Sequence, residues 1–320
     1  MDDLRLLPKF RDSLSYLYVE HCRVDREKSA ILLYEKAGVT QVPAASLAML
    51  MLGPGTRITH AAMLLLAENN CLAVWCGEQG VRFYACGVGG TRSAAGLLHQ
   101  ARLVSDANKR LEVAVRMYQH RFREAAPPAF SLEQLRGWEG RRVREAYSRA
   151  SRDTGLPWEG RSYDRSDWRA ADPVSRALSS ANSCLYGLCH AAILSLGFSA
   201  ALGFIHTGKQ LSFVYDVADL YKTAVSIPVA FRTAAEGSFD LERRARLACR
   251  DLFREYRLLE EIANDIPQVL GLRRDDPEAF ATMDFDPAVP GYLWDPDRTV
   301  PAGVAYGWDS EEGDDGDRSG

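Results

Sequence analysis

Short apolar runs mark the first 90 residues of the chain, and longer periodic segments mark the rest. The short runs lie at residues 14–19, 30–34, 47–52, 72–75 and 81–85. Each run is rich in residues with high strand propensity and is bounded by charged or Gly/Pro segments, so each predicts a β-strand. One helix is predicted among them at residues 59–68, because Thr59 can cap the apolar run that follows.

From residue 91 to residue 268 the apolar positions recur with a helical period. Helices are predicted at residues 93–122, from Ser131 through Glu139, at residues 172–196, around Asp216 and Asp219, and at residues 239–264. Residues 87–90 read GVGG and precede a helix, but Arg92 takes the third glycine position of a dinucleotide-binding fingerprint, so they predict a hinge instead.

Together these elements predict an α+β fold. A small β-rich N-terminal domain of residues 1–88 is joined by a short hinge to a larger, all-α catalytic domain of residues 91–270. Residues 271–320 change to Asp, Pro and Gly with scattered aromatics, which predicts an acidic and largely disordered tail.

The net charge of −4 conceals an asymmetry along the chain. From Asp275 to the end there are thirteen acidic residues against Arg298 and Arg318, so residues 1–274 carry a net charge of +7. A basic body with an acidic tail favours a polyanionic partner such as DNA.

Composition also excludes several classes of protein. No segment approaches 18 uncharged apolar residues, and the start, MDDLRLLPKF, lacks the basic and apolar regions of a signal peptide. We therefore expect a cytoplasmic protein without a membrane partner. The seven cysteines form no C-x-x-C pair and mostly sit in apolar runs, which predicts buried, reduced thiols and no zinc site.

Residues 203–222 carry the most suggestive chemistry. His206 precedes Asp216 and Asp219, whose spacing of three places both carboxylates on one face of a helix. An imidazole and carboxylates are a ligand set for a divalent ion, so the segment predicts a metal site for phosphodiester chemistry. Residues 203–210 nearly match a phosphate-binding loop, but Gln210 replaces the required hydroxyl and the preceding residues predict a helix where a strand is needed.

A third hard ligand must come from elsewhere, and Glu139 is the best candidate. It lies on a predicted helix among arginines and is followed by Gly140, which allows close approach. Taken alone, Glu139 is better explained by a surface salt bridge to a neighbouring arginine, and His206 by a hydrogen-bonded core residue. Asp216 fits either a second carboxylate ligand or a group that orients His206. The loop of residues 155–168 interleaves Arg with Trp and Tyr, which suits base stacking or anchoring of the loop to the core.

Several segments resemble the CRISPR-associated integrase of the spacer-acquisition module, subtype I-E. They are QLRGWEG at residues 134–140, GRSYDRSDW at 160–168, SCLYG at 183–187 and GFIHTGKQLSFVYDVAD at 203–219, with GPGTR at 53–57 and GVRFYA at 80–85 upstream. The resemblance spans residues 10–268 and leaves out the tail. It implies a metal-dependent DNA endonuclease and integrase that uses Mg²⁺ or Mn²⁺ and joins 3′-hydroxyl ends to DNA by transesterification.

The resemblance also implies roles for individual residues. The implied metal ligands are Glu139, His206 and Asp219, with Asp216 as a supporting carboxylate. The implied neighbours of the DNA end are Tyr163, Tyr186 and Lys209. The implied DNA-backbone surface comprises Arg57, Arg82, Trp168, Lys222, Arg246 and Arg250. His21 stands where members of the family have a tyrosine that wedges against the last base pair, so fork splaying is expected to be weaker here or shared.

The implied partners follow the same resemblance. The chain is expected to form a homodimer, and two such dimers a heterohexamer with a small ferredoxin-like CRISPR adaptation partner protein. The β-rich domain would serve dimerisation and DNA-end contact. The complex would bind double-stranded DNA with splayed or single-stranded 3′ ends and insert them into CRISPR repeat DNA. A free-standing structure-specific endonuclease and a non-catalytic DNA-binding scaffold are the alternatives.

Overall fold

The computed structural model describes residues 16–69, 71–78, 83–87, 94–123, 132–160, 172–272, 292–294 and 299–301. The strands are β1 (Tyr16–Val19), β2 (Arg23–Glu27), β3 (Ala30–Glu35), β4 (Gly38–Pro43), β5 (Met49–Leu52), β6 (Arg57–Ile58), β7 (Leu72–Cys76), β8 (Phe83–Gly87), β9 (Tyr292–Trp294) and β10 (Thr299–Pro301). The helices are α1 (His60–Glu68), α2 (Ala95–Ser105), α3 (Ala107–Phe122), α4 (Leu132–Thr154), α5 (Pro173–Ser195), α6 (Ser212–Asp219), α7 (Ser226–Ala235), α8 (Leu241–Glu255) and α9 (Leu258–Val269). A β-rich first part and a helical second part confirm the predicted α+β class.

Two four-stranded sheets form the β-rich part. In the first, the order is β1-β5-β7-β8, with β1, β5 and β7 parallel and β8 antiparallel to β7. In the second, the order is β4-β3-β2-β6, antiparallel except where the short β6 pairs with β2. The parallel pairing explains why β5 reads MLML without a polar residue, since both of its faces are buried.

The first sheet is packed between two cores. Met49 and Met51 of β5 face a core that they share with the helices, whereas Leu50 and Leu52 face a core shared with the second sheet and α1. The alternation follows from the period of two along a strand. A continuous apolar core therefore runs from the sheet into the helical part, where the candidate site lies.

Helix α5 is the centre of the helical part. It packs against α6, α7, α8 and α9, and most of its side chains are buried. Small residues such as Ala177, Ala181 and Gly187 line it, which lets neighbouring helices approach closely. Asp172 caps its first turn by accepting a hydrogen bond from the Ser175 amide at 2.9 Å, and Pro173 stands at the first helical position.

Two predicted helices are each divided in two. The segment at residues 93–122 breaks at Asp106, whose carboxylate accepts hydrogen bonds from the Asn108 and Lys109 amides and so caps a new helix, α3. The segment at residues 239–264 breaks at Arg257, which adopts a left-handed conformation with φ of 48° between α8 and α9. Strands β2 and β4 were not predicted, because β2 is mostly charged and β4 reads GVTQVP, which contains no apolar run.

The described residues up to 272 belong to one compact unit and those of the β9–β10 hairpin to another. The predicted hinge and the predicted domain ends at residues 88 and 91 remain predictions, since residues 88–93 lie outside the described part. The predicted tail also remains a prediction, since the structure describes only residues 271–272, 292–294 and 299–301 of it. Six of the seven thiols are buried, as the apolar runs around them indicate. None of the helices in the described residues is long and apolar enough to cross a membrane.

Candidate active site

The turn before α6 is organised by one buried carboxylate. Asp216 is fully buried, and its Oδ2 accepts the backbone N–H groups of Phe204 at 2.6 Å and Ile205 at 3.0 Å. Its Oδ1 accepts the N–H of His206 at 2.8 Å. Gly203 is required at the start of this turn, since a Cβ there would lie 2.4 Å from the His206 carbonyl oxygen. The preceding residues form turns instead of the predicted helix, and none forms a strand, as the rejection of a phosphate-binding loop requires.

The same carboxylate fixes the imidazole of His206. The Nδ1 of His206 lies 2.7 Å from Asp216 Oδ1. An ionised carboxylate only accepts hydrogen bonds, so in the neutral imidazole Nδ1 carries the proton and Nε2 is the lone-pair nitrogen. The hydrogen bond to Asp216 raises the pKa of His206, although burial opposes the shift. The side chain is 43% exposed, so its outer nitrogen faces an accessible space.

Two further carboxylates meet around an arginine that the sequence did not single out. Arg121 of α3 contacts Glu139 Oε1 of α4, and the same nitrogen lies 3.8 Å from Asp219 Oδ2 at the end of α6. The Arg121 side chain is only 5% exposed, so both ion pairs are largely shielded from water. One guanidinium nitrogen in contact with both groups places Glu139 and Asp219 within a few ångströms of each other.

Lys222 completes this arrangement instead of lying on an open surface. Its ammonium contacts Asp219 Oδ1 and sits 5.0 Å from the ring centroid of Tyr186 on α5. Burial lowers the pKa of Lys222, but Asp219 and Tyr186 outweigh burial and raise it overall. Tyr186 packs edge-on against Tyr215 at 5.1 Å, and Tyr215 packs against His206 at 5.8 Å. The structure thus joins Tyr186 to the histidine and carboxylate cluster.

The predicted metal ligands Glu139, His206 and Asp219 offer suitable donor atoms, but they are not arranged as a complete metal site. Among the residues that the structure describes, no group of three or more His, Cys, Asp or Glu side chains stands ready to hold a metal ion. Arg121 contacts Glu139, and Lys222 contacts Asp219. The buried Asp219 Oδ1 nevertheless accepts no well-directed hydrogen bond, and His206 presents Nε2 with its tautomer fixed by a carboxylate, as metal-bound histidines commonly do. The donor atoms are therefore of the type that binds a divalent ion, which would have to displace these ion pairs.

Besides Lys222 and Tyr186, the predicted DNA-contacting residues that the structure describes fall in three places. His21 and Arg57 lie together at one end of the second sheet, where the His21 amide binds the Pro54 carbonyl and Gly55 packs against the imidazole. Arg246 and Arg250 lie one turn apart on α8. Lys209 is exposed beside Gly208, whose φ is 79°. Tyr163, Arg82 and Trp168 lie outside the described residues, and their roles remain predictions.

The sequence analysis missed two residues beside the site. It also left open whether the aromatic residues of the loop after α4 anchor that loop to the core. Arg121 and Tyr118 stand on α3, where nothing distinguishes them from neighbouring basic and apolar positions. Burial raises the pKa of Tyr118, and the nearby Glu139 charge raises it further. In the loop after α4, Trp158 stacks on Tyr147 with centroids 4.7 Å apart, so this aromatic anchors the loop to the core.

An α+β fold that places one imidazole and two carboxylates among arginine and lysine side chains defines a class of proteins suited to phosphodiester chemistry. Comparison with known families narrows that class. The family model for CRISPR associated protein Cas1 matches residues 15–127 and 119–246. The chain belongs to this family, as the sequence motifs predicted.

Individual relatives support the assignment over most of the chain. The CRISPR-associated endonuclease Cas1 2 of Thermus thermophilus is 58% identical over 310 residues, 96% of this chain and 94% of the relative. The CRISPR-associated endonuclease Cas1 of Escherichia coli is 43% identical over 270 residues, 84% of this chain and 88% of the relative. The crystal structure of a TtCas1–DNA complex matches with a TM-score of 0.76 and 59% identity, covering 82% of this chain and 99% of that chain.

Proposed function

We propose that this chain is a metal-dependent DNA endonuclease and integrase of CRISPR adaptation. Close similarity to proteins named CRISPR-associated endonucleases and to a chain solved with DNA supports a nuclease that binds DNA. The observation that carries the proposal is the cluster in which Asp216 orients His206 while Glu139 and Asp219 converge on Arg121.

The residues of the cluster have separable tasks. Glu139, His206 and Asp219 would hold Mg²⁺ or Mn²⁺, which supplies Lewis-acid stabilisation of phosphoryl oxygens when bound. Asp216 keeps the proton on His206 Nδ1 and so keeps Nε2 available. Arg121 and Lys222 place positive charge beside the reacting phosphate, where they bind and orient it.

The proposed reaction exchanges one phosphodiester for another. The 3′-hydroxyl of a pre-spacer end attacks a phosphorus atom of the CRISPR repeat, a new P–O bond forms, and the bond to the repeat's 3′-oxygen breaks. The attacking hydroxyl loses its proton and the departing oxygen gains one, so no nucleotide hydrolysis is required. With water as the nucleophile, the same centre cleaves DNA, which agrees with the endonuclease names of the relatives.

The remaining predictions about assembly enter as parts of this proposal. The chain would act in the cytoplasm as a homodimer of subtype I-E. Two dimers would join a small ferredoxin-like partner in a heterohexamer that holds duplexes with splayed 3′ ends. A free-standing nuclease shares the site and differs only in its nucleophile. A scaffold without catalysis is less favoured, because a structural role does not explain why Asp216 fixes the tautomer of a half-exposed histidine.

One assay separates these alternatives. Purified protein is incubated with splayed pre-spacer DNA, a repeat-containing plasmid, Mn²⁺ and the small partner, and strand-joined product is measured. We expect product that requires Mn²⁺ and disappears in Asp219→Ala. Product that survives this substitution contradicts the metal mechanism, whereas cleavage without joining in the presence of the partner favours the free-standing nuclease.

A further inference from the structure

A cleft of about 530 Å³ opens between α4 and α7 beside the candidate active site. We call it the α4–α7 cleft. Its volume lies within the range of small-ligand sites, so it admits a unit the size of a nucleotide but not a duplex. Among the residues that line the cleft are Arg121, Arg142, Arg149, Thr223, Phe231 and Arg232.

The cleft is basic on balance. Four arginines line it against two acidic residues, Glu145 and Asp153. Glu145 lies 3.4 Å from Arg142, so its charge is already neutralised. Within the described residues, Arg149 and Arg232 form no salt bridge, and both are exposed. Exposed guanidinium groups on facing walls of a cleft are suited to phosphate oxygens.

The cleft is continuous with the candidate active site. Arg121 lines the cleft and also contacts Glu139. On α4, Arg142 follows Glu139 by three residues, and Arg149 follows Arg142 by seven. All three therefore lie on one face of the helix. Arg149 therefore stands about 15 Å along the helix axis from Glu139. Thr223 lines the cleft directly after Lys222, which contacts Asp219.

A strand whose phosphate reacts must continue on both sides of the site. On one side lie Tyr186, Tyr215 and His206, which pack against each other. The α4–α7 cleft opens on the side of Arg121 and Thr223. We propose that this cleft binds the sugar-phosphate backbone of the single DNA strand that leaves the reacting phosphate, with Arg149 and Arg232 as its phosphate ligands. The proposal rests on the proposed function and extends it to the path of the strand.

The test uses the full chain and a branched DNA whose strand beyond the cleaved phosphate is one or six nucleotides long. Arg149→Gln/Arg232→Gln is compared with Arg152→Gln, which removes one exposed charge from the same helix outside the cleft. The unfolding temperature of each variant shows whether it is folded. Binding is measured by fluorescence anisotropy at several salt concentrations, and cleavage is measured in Mn²⁺.

We expect the double variant to lose affinity for the six-nucleotide substrate and its salt slope to fall by about 1.4, since each contact to single-stranded phosphate contributes about 0.7. With the one-nucleotide substrate it should match wild type, as Arg152→Gln should with both. Equal losses on both substrates, or a double variant that behaves like Arg152→Gln, would overturn the proposal. Wild-type protein that neither binds nor cleaves either substrate would instead refute the proposed function.

Discussion

Replacing Asp216 by Asn tests the central feature of the site with a nearly isosteric change. The carboxylate uses two oxygens to accept three backbone N–H groups and the His206 ring. An amide offers one oxygen and one NH₂ group. Whichever way the amide is oriented, two of the four hydrogen bonds lose their acceptor.

The two orientations have different costs. If the amide oxygen faces His206, the N–H groups of Phe204 and Ile205 lose their acceptor, and at about 1–3 kcal/mol each this costs roughly 2–6 kcal/mol. If the oxygen faces Phe204 and Ile205, the NH₂ group donates to Nδ1 and moves the ring proton to Nε2. That tautomer cannot present Nε2 as a ligand, and loss of such supporting contacts typically lowers metal affinity or activity about 10–100-fold.

We therefore expect Asp216→Asn to unfold at a lower urea concentration and to bind Mn²⁺ about 10–100-fold more weakly. Urea unfolding followed by circular dichroism, Mn²⁺ titration calorimetry and ¹⁵N chemical shifts of the histidine ring measure the three effects. Asp219→Asn is the matched control, since its carboxylate contacts Arg121 and Lys222 and caps no turn. It should lose Mn²⁺ affinity with a smaller change in stability. Wild-type stability together with an unchanged His206 tautomer in Asp216→Asn would refute the reasoning.

Three further substitutions test other parts of the structure. His120 lies 2.9 Å from the buried Asp265, and this hydrogen bond raises the pKa of His120 above 6.5. The stabilisation is therefore complete below pH 6.5 and is lost as pH rises through the folded-state pKa. In urea unfolding from about pH 6 to 8, the free energy of unfolding should decline with pH, and the decline should be smaller in His120→Gln. Tyr118→Phe should change the free energy of unfolding by less than about 1 kcal/mol, because the contact between the buried hydroxyl and Glu139 is too poorly aligned to form a full hydrogen bond; a larger loss in urea unfolding would contradict this. His21→Tyr should keep or improve affinity for splayed duplexes over blunt ones in an anisotropy assay, since residue 21 is exposed and a tyrosine ring offers a larger stacking surface than an imidazole; a clear loss means that the position is not a wedge.

The strands that could be predicted are those whose environment leaves a pattern. Strand β5 is buried on both faces, so its apolar run is conspicuous in the sequence. Strand β4 is an exposed edge whose residues alternate weakly, and hydrogen bonds to β3 rather than apolar burial hold it. Helices α2 and α3 share one amphipathic period, and only the cap formed by Asp106 separates them. Breaks set by a single side chain are hard to predict from periodicity.

The sequence predicted the candidate metal ligands of the site, but it did not predict which cations balance their charges. The spacing of Asp216 and Asp219 places both on α6, but it does not tell which carboxylate is buried. That difference depends on the turn at Gly203, which brings three N–H groups onto Asp216 and leaves Asp219 at the helix end. Glu139 was the candidate ligand, and a salt bridge was its alternative. The structure contains that salt bridge with a buried arginine, in a position suited to a metal ligand.

Arg121 and Lys222 explain how two neighbouring carboxylates are stable in the folded chain. Burying a charge is costly unless it is paired, and here Glu139 and Asp219 are matched by two cations. The four side chains sum to zero charge. A divalent ion at the same oxygens leaves an excess of two positive charges, which suits a site where two polyanionic strands must meet. Within this cluster, a net positive charge for the DNA strands therefore depends on the proposed Mg²⁺ or Mn²⁺, and the balance also depends on an arginine that no sequence motif marks.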